Sequence, residues 1–386
     1  MSNNNVTLVV AGREYGGWKS VSIQAGIERS CRSFALDITR SWPNAPQLQR
    51  LVQPFDSCQV FIGDNLVLTG DIDATPISYD AATVSVAVNG RSKTARLVDC
   101  SAANDPGQWS GLPVERIAQA LASPYSVRVL ADVSTGGVVV DHQIQQGETA
   151  FESIDRLLQI RQLLATDTAD GDLLITQASE RHSGASLVLG EGGNILSGDA
   201  GLDFKDVFSS YTSKGQRSST ATDDDADPLL PDALRDASAT TADSRVPYNR
   251  QLIIKQSGQV DQASCADRVR YERDYRRAKA LATTYTVQGW RRPSGELWVP
   301  NELVKIHDSI IGIDADWLIT EVEYKISSAG TLCTLQVATR AGFIRPVGGE
   351  DDKARRKKAG SIGNDKWADV QAAQDDESVE QELQAK

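Results

Sequence analysis

Residues able to do chemistry are sparse in this chain of 386, and their spacing does not gather them into a site. His142, His182 and His307 lie far apart and share no metal-ligand spacing, so each reads as a surface or satisfied core histidine rather than a ligand or general base. Gly90-Arg-Ser-Lys-Thr94 ends like a phosphate-binding loop, but Ser92 stands where that motif needs the glycine before lysine, and the earlier glycine is missing. In Gly190-Glu-Gly-Gly-Asn-Ile195 the third glycine of a dinucleotide fingerprint is replaced by Ile195, and a turn is enough to explain the run. Asp223-Asp-Asp-Ala-Asp227 has the charge to attract Ca²⁺ but lacks the central glycine and terminal glutamate of an EF-hand loop. Cys31, Cys58, Cys100, Cys265 and Cys333 are odd in number and form no C-x-x-C pair, as expected of buried free thiols rather than a disulfide framework or a zinc site. No G-x-S-x-G occurs, and the carboxylates are too numerous to single out a glycosidase pair. The sequence therefore predicts no catalytic residue, no cofactor and no metal.

The charge balance narrows the partners. With 40 Lys and Arg against 52 Asp and Glu, the formal net charge is −12, the wrong sign for sequence-independent affinity to nucleic acid. No run approaches the roughly 18 apolar residues of a membrane span. Met1-Ser-Asn-Asn-Asn5 has neither the basic nor the apolar region of a signal peptide, so the expectation is a soluble product made in a cytoplasm.

The elements that would position any site are mostly strands. From Val6 to about Gly90 short β-prone pieces (6–10, 20–23, 34–38, 57–62, 66–68, 83–88) follow one another between turns, the spacing of an antiparallel barrel or sandwich. The period then becomes helical: Val114, Ile117, Ala118 and Leu121 share one face, with Pro113 tolerated in the first turn and Pro124 ending the helix. Strands at 127–130 and 138–140, an amphipathic helix over 148–160 and a strand at 173–176 after the Asp170-Gly171 turn describe a small α/β module. Residues 217–246, rich in Ser, Thr, Asp and Ala, read as a mobile surface loop. A helix is expected over 261–282, its Arg268, Arg270, Arg273, Arg276, Arg277 and Lys279 forming either i,i+4 ion pairs such as Glu272 with Arg276 or a contact with a partner. The β pattern returns after Tyr285, and beyond Pro346 the text is polar, with a basic block at 353–358 and an acidic end.

The densest signal lies in Thr284 to Asp308. Tyr285 and Val287 alternate with polar neighbours, Pro293-Ser294-Gly295 punctuates, and Leu297, Val299, Leu303, Val304 and Ile306 supply a second run, so a hairpin is expected, broken at Pro300-Asn301. Trp290 and Trp298 flank its turn, where two indoles could cap a barrel end or face a partner.

Two blocks carry a resemblance. Val88 to Cys100 with Gly107-Gln-Trp109 and Ile117 to Leu121, together with Gly289-Trp290, Gly295, Leu297-Trp298 and Pro300-Asn301, resemble the central baseplate hub protein of Mu-like contractile-tailed phages, in order from about Val6 to Phe343. The resemblance implies a mainly β fold with an α+β insertion, in which two antiparallel β-barrel-like tube domains accompany a small α/β domain. The expected division is a first tube domain 1–98, a helical connector 99–125, an α/β domain 126–202, crossing strands 203–260, a helix 261–282, a second tube domain 283–346 and a charged, disordered tail 347–386. It implies a homotrimer in the virion tail baseplate, assembled in the host cytoplasm and adapting the sixfold tail tube to the threefold membrane-piercing spike. Its partners would be the spike, the tube and other baseplate proteins, with DNA passing only in transit. Gly289, Trp290, Trp298, Pro300, Asn301, Arg91 and Trp109 are the structural or interface candidates. A β-rich module binding host receptors or glycans through Trp290 and Trp298, and a cell-wall hydrolase, are the competing expectations.

Overall fold

The computed structural model describes residues 4–41, 52–79, 83–161, 163–216, 236–259 and 262–344. The charged tail, and the 217–235 part of the expected loop with its Asp223–Asp227 cluster, lie outside them. Alternating burial organises the first β unit: β1 (Val6–Val10), β2 (Arg13–Tyr15), β3 (Ser20–Gly26), β4 (Ser33–Ser41), β5 (Ser57–Ile62), β6 (Asn65–Ala74), β7 (Ile77–Tyr79) and β8 (Thr83–Ser92). Val21, Ile23 and Ala25 of β3 point into the core while Ser20, Ser22 and Gln24 stay half-exposed, as period-2 patterning requires.

An α/β unit follows, comprising α1 (Ala95–Asp99), β9 (Gln108–Trp109), α2 (Val114–Ala122), β10 (Val129–Ala131), β11 (His142–Gln143), α3 (Ala150–Arg161), β12 (Leu164–Asp167) and β13 (Leu173–Thr176). Thr149 and Glu152 cap α3 reciprocally, the Glu152 carboxylate accepting the Thr149 N–H at 2.7 Å and the Thr149 hydroxyl accepting the Glu152 N–H at 3.1 Å. Val114, Ile117 and Leu121 of α2 share one core with Ile154, Leu157 and Leu158 of α3 and with Leu173 and Ile175 of β13. The helix expected as a connector is thus packed inside this unit. Residues 138–140 form no strand; Val139 makes an isolated bridge to Leu112.

The chain then returns through β14 (His182–Val188) and β15 (Ile195–Ala200) to β16 (Ser210–Gln216), β17 (Asp236–Ala242) and β18 (Gln251–Gln259). β14 and β15 pair with the last β unit rather than with the α/β sheet. The expected loop over 217–246 is corrected at its end, because 236–242 is β17, laid antiparallel on β16. Its Ala237 and Ala239 suit a strand whose inner face meets the small Cys265 side chain of a helix. That helix, α4 (Gln262–Leu281), precedes β19 (Thr283–Gln288), β20 (Leu303–Asp308), β21 (Ile313–Ser327) and β22 (Gly330–Ala338).

The two β units form one sheet. Fourteen strands are connected, in the order β15-β19-β22-β21-β3-β4-β8-β6-β5-β1-β2, with β20 and then β14 attached beside β21 and β7 beside β8. The first half of β21 pairs with β20, and after a register shift between Ile319 and Glu321 its second half pairs with β3 from Gly26↔Glu321 to Val21↔Ile326. One apolar core runs beneath this joint, from Leu8, Ile23 and Leu36 to Val322, Leu335 and Val337. Hairpin pairing over Thr284–Asp308 does not occur: β19 bonds to β15 and β22, and β20 to β14 and β21. What remains of it is a short turn closed by the Arg291↔Leu297 bridge and by backbone bonds from Trp298 to Trp290 and from Arg292 to Glu296. The break at Pro300-Asn301 is present, with Asn301 left-handed at φ 64°.

Candidate functional site

Residues 289–302 act as a strap over the joint between the β units. Gly289 turns the chain out of β19 at φ 76°, a conformation open to glycine, and its N–H bonds to the Thr331 carbonyl at 2.9 Å. This turn sends Trp290 inward, where the fully buried indole donates Nε1–H to the carbonyls of Leu332 (2.9 Å) and Lys325 (3.2 Å). Its ring meets Tyr324 edge-to-face at 5.9 Å. The Tyr324 hydroxyl donates to the Trp298 carbonyl, and the Trp298 N–H to the Trp290 carbonyl at 3.1 Å. Tyr324 lies opposite Ile23 of β3 on one side and Cys333 of β22 on the other. The two tryptophans therefore clamp the strand that joins the β units. Burial also pushes the Tyr324 phenol well above its usual pKa.

Three arginines, none of them among the residues expected from sequence, complete the strap and its anchors. Arg291 reaches the first β unit, donating to Asn4 Oδ1 at 3.1 Å and the Ile62 carbonyl at 3.3 Å. Arg292 is buried and pairs with Glu302 at 2.9 Å and Glu296 at 2.8 Å. Burial raises the Glu302 carboxyl pKa more than Arg292 and Arg181 lower it. Arg32 donates to Asp167 through Nε (3.1 Å) and through its backbone N–H (3.0 Å), and to the Val67 carbonyl at 2.8 Å, tying the first β unit to β12. Asp167 is buried, and desolvation lifts its pKa despite the guanidinium. The sequence offers one faint signal for these groups, namely charged residues embedded in otherwise apolar or strand-like text.

Pro300 and Asn301 stand where the strap meets the α/β unit. The Asn301 side chain accepts the Ser179 N–H at 2.9 Å and donates to the Gln177 carbonyl at 3.1 Å, while its own N–H bonds to Ile319 at 2.9 Å. Beside it lies an open cleft of about 690 Å³ bordered by Arg32, Asp132, Asp167, Arg181, Pro300 and Arg340. Its arginines are already matched, Arg181 with Glu302 at 3.0 Å, Arg340 with Glu180 at 3.0 Å, and Arg32 with Asp167, while Asp132 accepts the Thr176 hydroxyl at 3.1 Å. This is the chemistry of a joint.

The structure thus brings Gly289, Trp290, Trp298, Pro300 and Asn301 together on one strap and leaves Arg91 and Trp109 elsewhere. Arg91, on β8, bridges Asp73 and Asp99 at 2.6 Å each, which raises its pKa further. Trp109 stacks on His142 in the α/β unit, with ring centroids 6.1 Å apart, and His142 shares a 2.9 Å hydrogen bond with Ser153. Burial, assisted by Arg156, pushes the His142 pKa down. His307 contacts Asp314 and His182 faces Asp316, so the three histidines occupy separate places. Gly90, part of the phosphate-loop look-alike, lies in β8, where an added Cβ would come within 2.7 Å of the Phe34 ring. Close packing explains that glycine. The α4 arginines are engaged in ion pairs: Glu272 takes both Arg268 (2.7 Å) and Arg276 (3.1 Å), Asp267 takes Arg270 (2.6 Å), and Lys279 reaches Glu28. Among the described residues no three His, Cys, Asp or Glu side chains gather as a metal site, and no helix is long and apolar enough to cross a membrane.

Comparison with known proteins gives this joint a family. Residues 5–92 match the N-terminal domain described as Mu phage baseplate assembly protein GpP-like, and residues 94–177 the second domain of baseplate hub protein gp44-like proteins. Residues 261–346 match the fourth domain of Mu phage baseplate assembly protein GpP. The baseplate hub protein gp44 of Escherichia phage Mu is 34% identical over 367 residues, covering 94% of both chains. The chain belongs to the baseplate hub family. In fold, this hub protein is similar to the 43 kDa tail protein of prophage MuSo2 from Shewanella oneidensis (TM-score 0.76, 30% identity, 89% of this chain and 100% of that one). It is also similar to the tail protein from Neisseria meningitidis MC58 (TM-score 0.75, 22% identity, 88% and 98%). The hub protein is accordingly a structural component of a phage tail baseplate, and the strap belongs to its scaffold. The burial of both tryptophans removes the surface on which glycan binding through them would depend.

Proposed function

We propose that three copies of this hub protein form a ring that adapts the sixfold tail tube to the threefold membrane-piercing spike, leaving a channel for DNA. The observation that carries this reading is the β3–β21 pairing, which holds two β units of one chain in a single sheet. Three chains then supply six β units, the number a sixfold tube would meet. The rigid joint matters because a flexible link between the units would let each sample orientations that a ring cannot use. The same sheet offers a polar surface suited to a channel: Ser22, Gln24, Asp73, Asn89 and Arg91 lie on one face, and Glu321, Glu323 and Lys325 continue it beyond the joint. Few of its groups are free cations, so DNA would meet little to hold it in transit. No step of bond chemistry is assigned to the protein, whose role is non-enzymatic, and assembly takes place in the host cytoplasm before incorporation into the tail.

Light scattering over a range of concentrations, together with electron microscopy of the particles, tests the reading. A ring with the mass of three chains supports it. A monomer at every concentration, both alone and mixed with the spike protein, overturns it.

A further inference from the structure

Among the described residues the small sheet β17-β16-β18 ends in two edges that pair with no further strand, and one of them is unlike the edges of the large sheet. β2 is only three residues long and charged, β14 is interrupted by a register shift between His182 and Ser186, and β15 carries Gly198 and Asp199. Shortness, charge and bulges are the usual means by which proteins blunt an edge against pairing. β18 lacks them over residues 251–254, and the charged Lys255 closes the run. Leu252, Ile253 and Ile254 follow one another without proline or acid, Ile253 is 64% exposed, and the irregularity against β16 comes only after Lys255. In a ladder each strand turns alternate backbone groups to either side. Those of β18 that face away from β16 meet no strand among the described residues. At the opposite edge β17 runs Ala-Ser-Ala-Thr-Thr-Ala from 237 to 242, small or β-branched residues, with the Ser238 N–H held by the Gln262 side chain at 3.3 Å.

The strand directions say what would fit. β17 is antiparallel to β16 and β18 is parallel to it. A rotation about an axis running along the strands therefore brings β17 of one copy antiparallel to β18 of the next. Such a head-to-tail contact uses a different patch on each side and closes into a ring when the rotation closes. All edges of the small sheets are then paired. A contact between two β18 strands would stop at two copies and leave β17 open in each.

We propose that β18 of one copy pairs antiparallel with β17 of a second copy of this chain, extending the small sheet from subunit to subunit. The pairing rests on the ring reading above and specifies a contact that would hold the ring together. Ile253, Thr212 and Thr240 share one face of the sheet: Thr212 lies in register with both partners, and the two threonine hydroxyls are 2.9 Å apart. Within a single chain Ile253 and Thr240 stand on opposite sides of β16, about 10 Å apart from two strand spacings, too far for a disulfide.

The test introduces Ile253→Cys together with Ser238→Cys, Thr240→Cys or Ala242→Cys in turn, in a full-length chain whose half-exposed Cys31 and Cys100 are serine. Oxidation of the assembled protein is expected to give covalent trimers for at least one pairing and none for the single-cysteine controls. Ile253→Lys, in a protein that melts like the parent, is expected to raise the concentration at which the assembly dissociates at least tenfold. If light scattering finds trimers but no pairing cross-links, this contact is overturned while the ring reading stands. Cross-linking that stops at dimers overturns it as well. Monomers at every concentration overturn both.

Discussion

The first β unit is attached to the rest of the chain in two ways that use different physics. Where β3 meets β21 it gains a ladder running from Gly26↔Glu321 to Val21↔Ile326 and an apolar core shared across the junction. Where it meets the α/β unit it gains mainly polar contacts: the buried ion pair of Arg32 with Asp167, the more exposed pairs of Arg96 with Asp71 and Arg91 with Asp99, and hydrogen bonds to the backbone, beside a small apolar contact of Ile27 with Leu164. Burial of apolar area is non-directional and cumulative, so the first joint tolerates the loss of single contacts but not the removal of a large buried ring. A buried ion pair is the reverse: it adds little net stability when whole but is costly when half of it is removed. The α/β unit also has its own core around α2 and α3, so its attachment has only to orient it. The β units, by contrast, share one interior.

The contrast can be broken first at the strap. Trp298→Ala is expected to cost about 4 kcal/mol, because truncating a buried indole leaves a cavity under the joint. Urea unfolding should show this loss in a transition common to both β units, and an unchanged midpoint would remove Trp298 from the joint. Arg32→Ala is expected to cost about 3 kcal/mol at neutral pH by stranding Asp167. The sign of its pH dependence is diagnostic. Asp167 already has a raised pKa, and without Arg32 the pKa rises further, so the penalty is present above that value and shrinks as the pH falls and the carboxyl takes up a proton. A penalty independent of pH would mean that the guanidinium acts through packing alone.

Smaller changes sharpen the comparison. Asn301→Ala loses the bonds to Ser179 and Gln177 and places alanine at φ 64°, for about 2 kcal/mol, whereas Asn301→Gly should recover the backbone part only. Chemical denaturation of both variants separates the two contributions, and equal losses would assign the whole effect to the hydrogen bonds. At the β3–β21 joint the Ser22 hydroxyl donates to Glu323 at 2.8 Å. Desolvation opposes ionisation of Glu323, but the bonds from Lys325, Ser22 and Gln24 outweigh it and its pKa is depressed. The stability this carboxylate confers is therefore present above its unfolded value near 4.5 and is lost as the pH falls through the lower folded value. Ser22→Ala should cost about 1 kcal/mol at pH 7 and less at pH 3, compared by urea titration at the two values. A larger loss at pH 3 would contradict this sign.

Much of the local structure was legible. The helical face of Val114, Ile117 and Leu121 and the amphipathic run around Ile154 and Leu157 follow from 3.6-residue periodicity, and the strands β1, β3, β4, β5, β6 and β8 were each marked by a β-prone run, whereas the short, exposed β2 and β7 gave no such signal. The strap was legible as a place of interest, since Gly289, Trp290, Trp298, Pro300 and Asn301 are all part of it. Its purpose was not. A hairpin was the natural expectation for two β-prone runs separated by Pro293-Ser294-Gly295, yet β19 and β20 take other partners. Arg32 and Asp167, 135 positions apart, give no local sign that they will meet.

The sequence by itself determined the core face of most strands and of α2 and α3, the approximate span of the longer helices, and which family the chain resembles, because periodicity and turn residues act over a few positions. Tertiary structure alone decided that β3 lies against β21, with Ser22 and Glu323 meeting across 301 positions, and that two tryptophans close over Tyr324. The physical reason is that a backbone ladder is chemically the same whichever strands form it. The choice of partner and register is left to the burial of side chains brought together from distant parts of the chain.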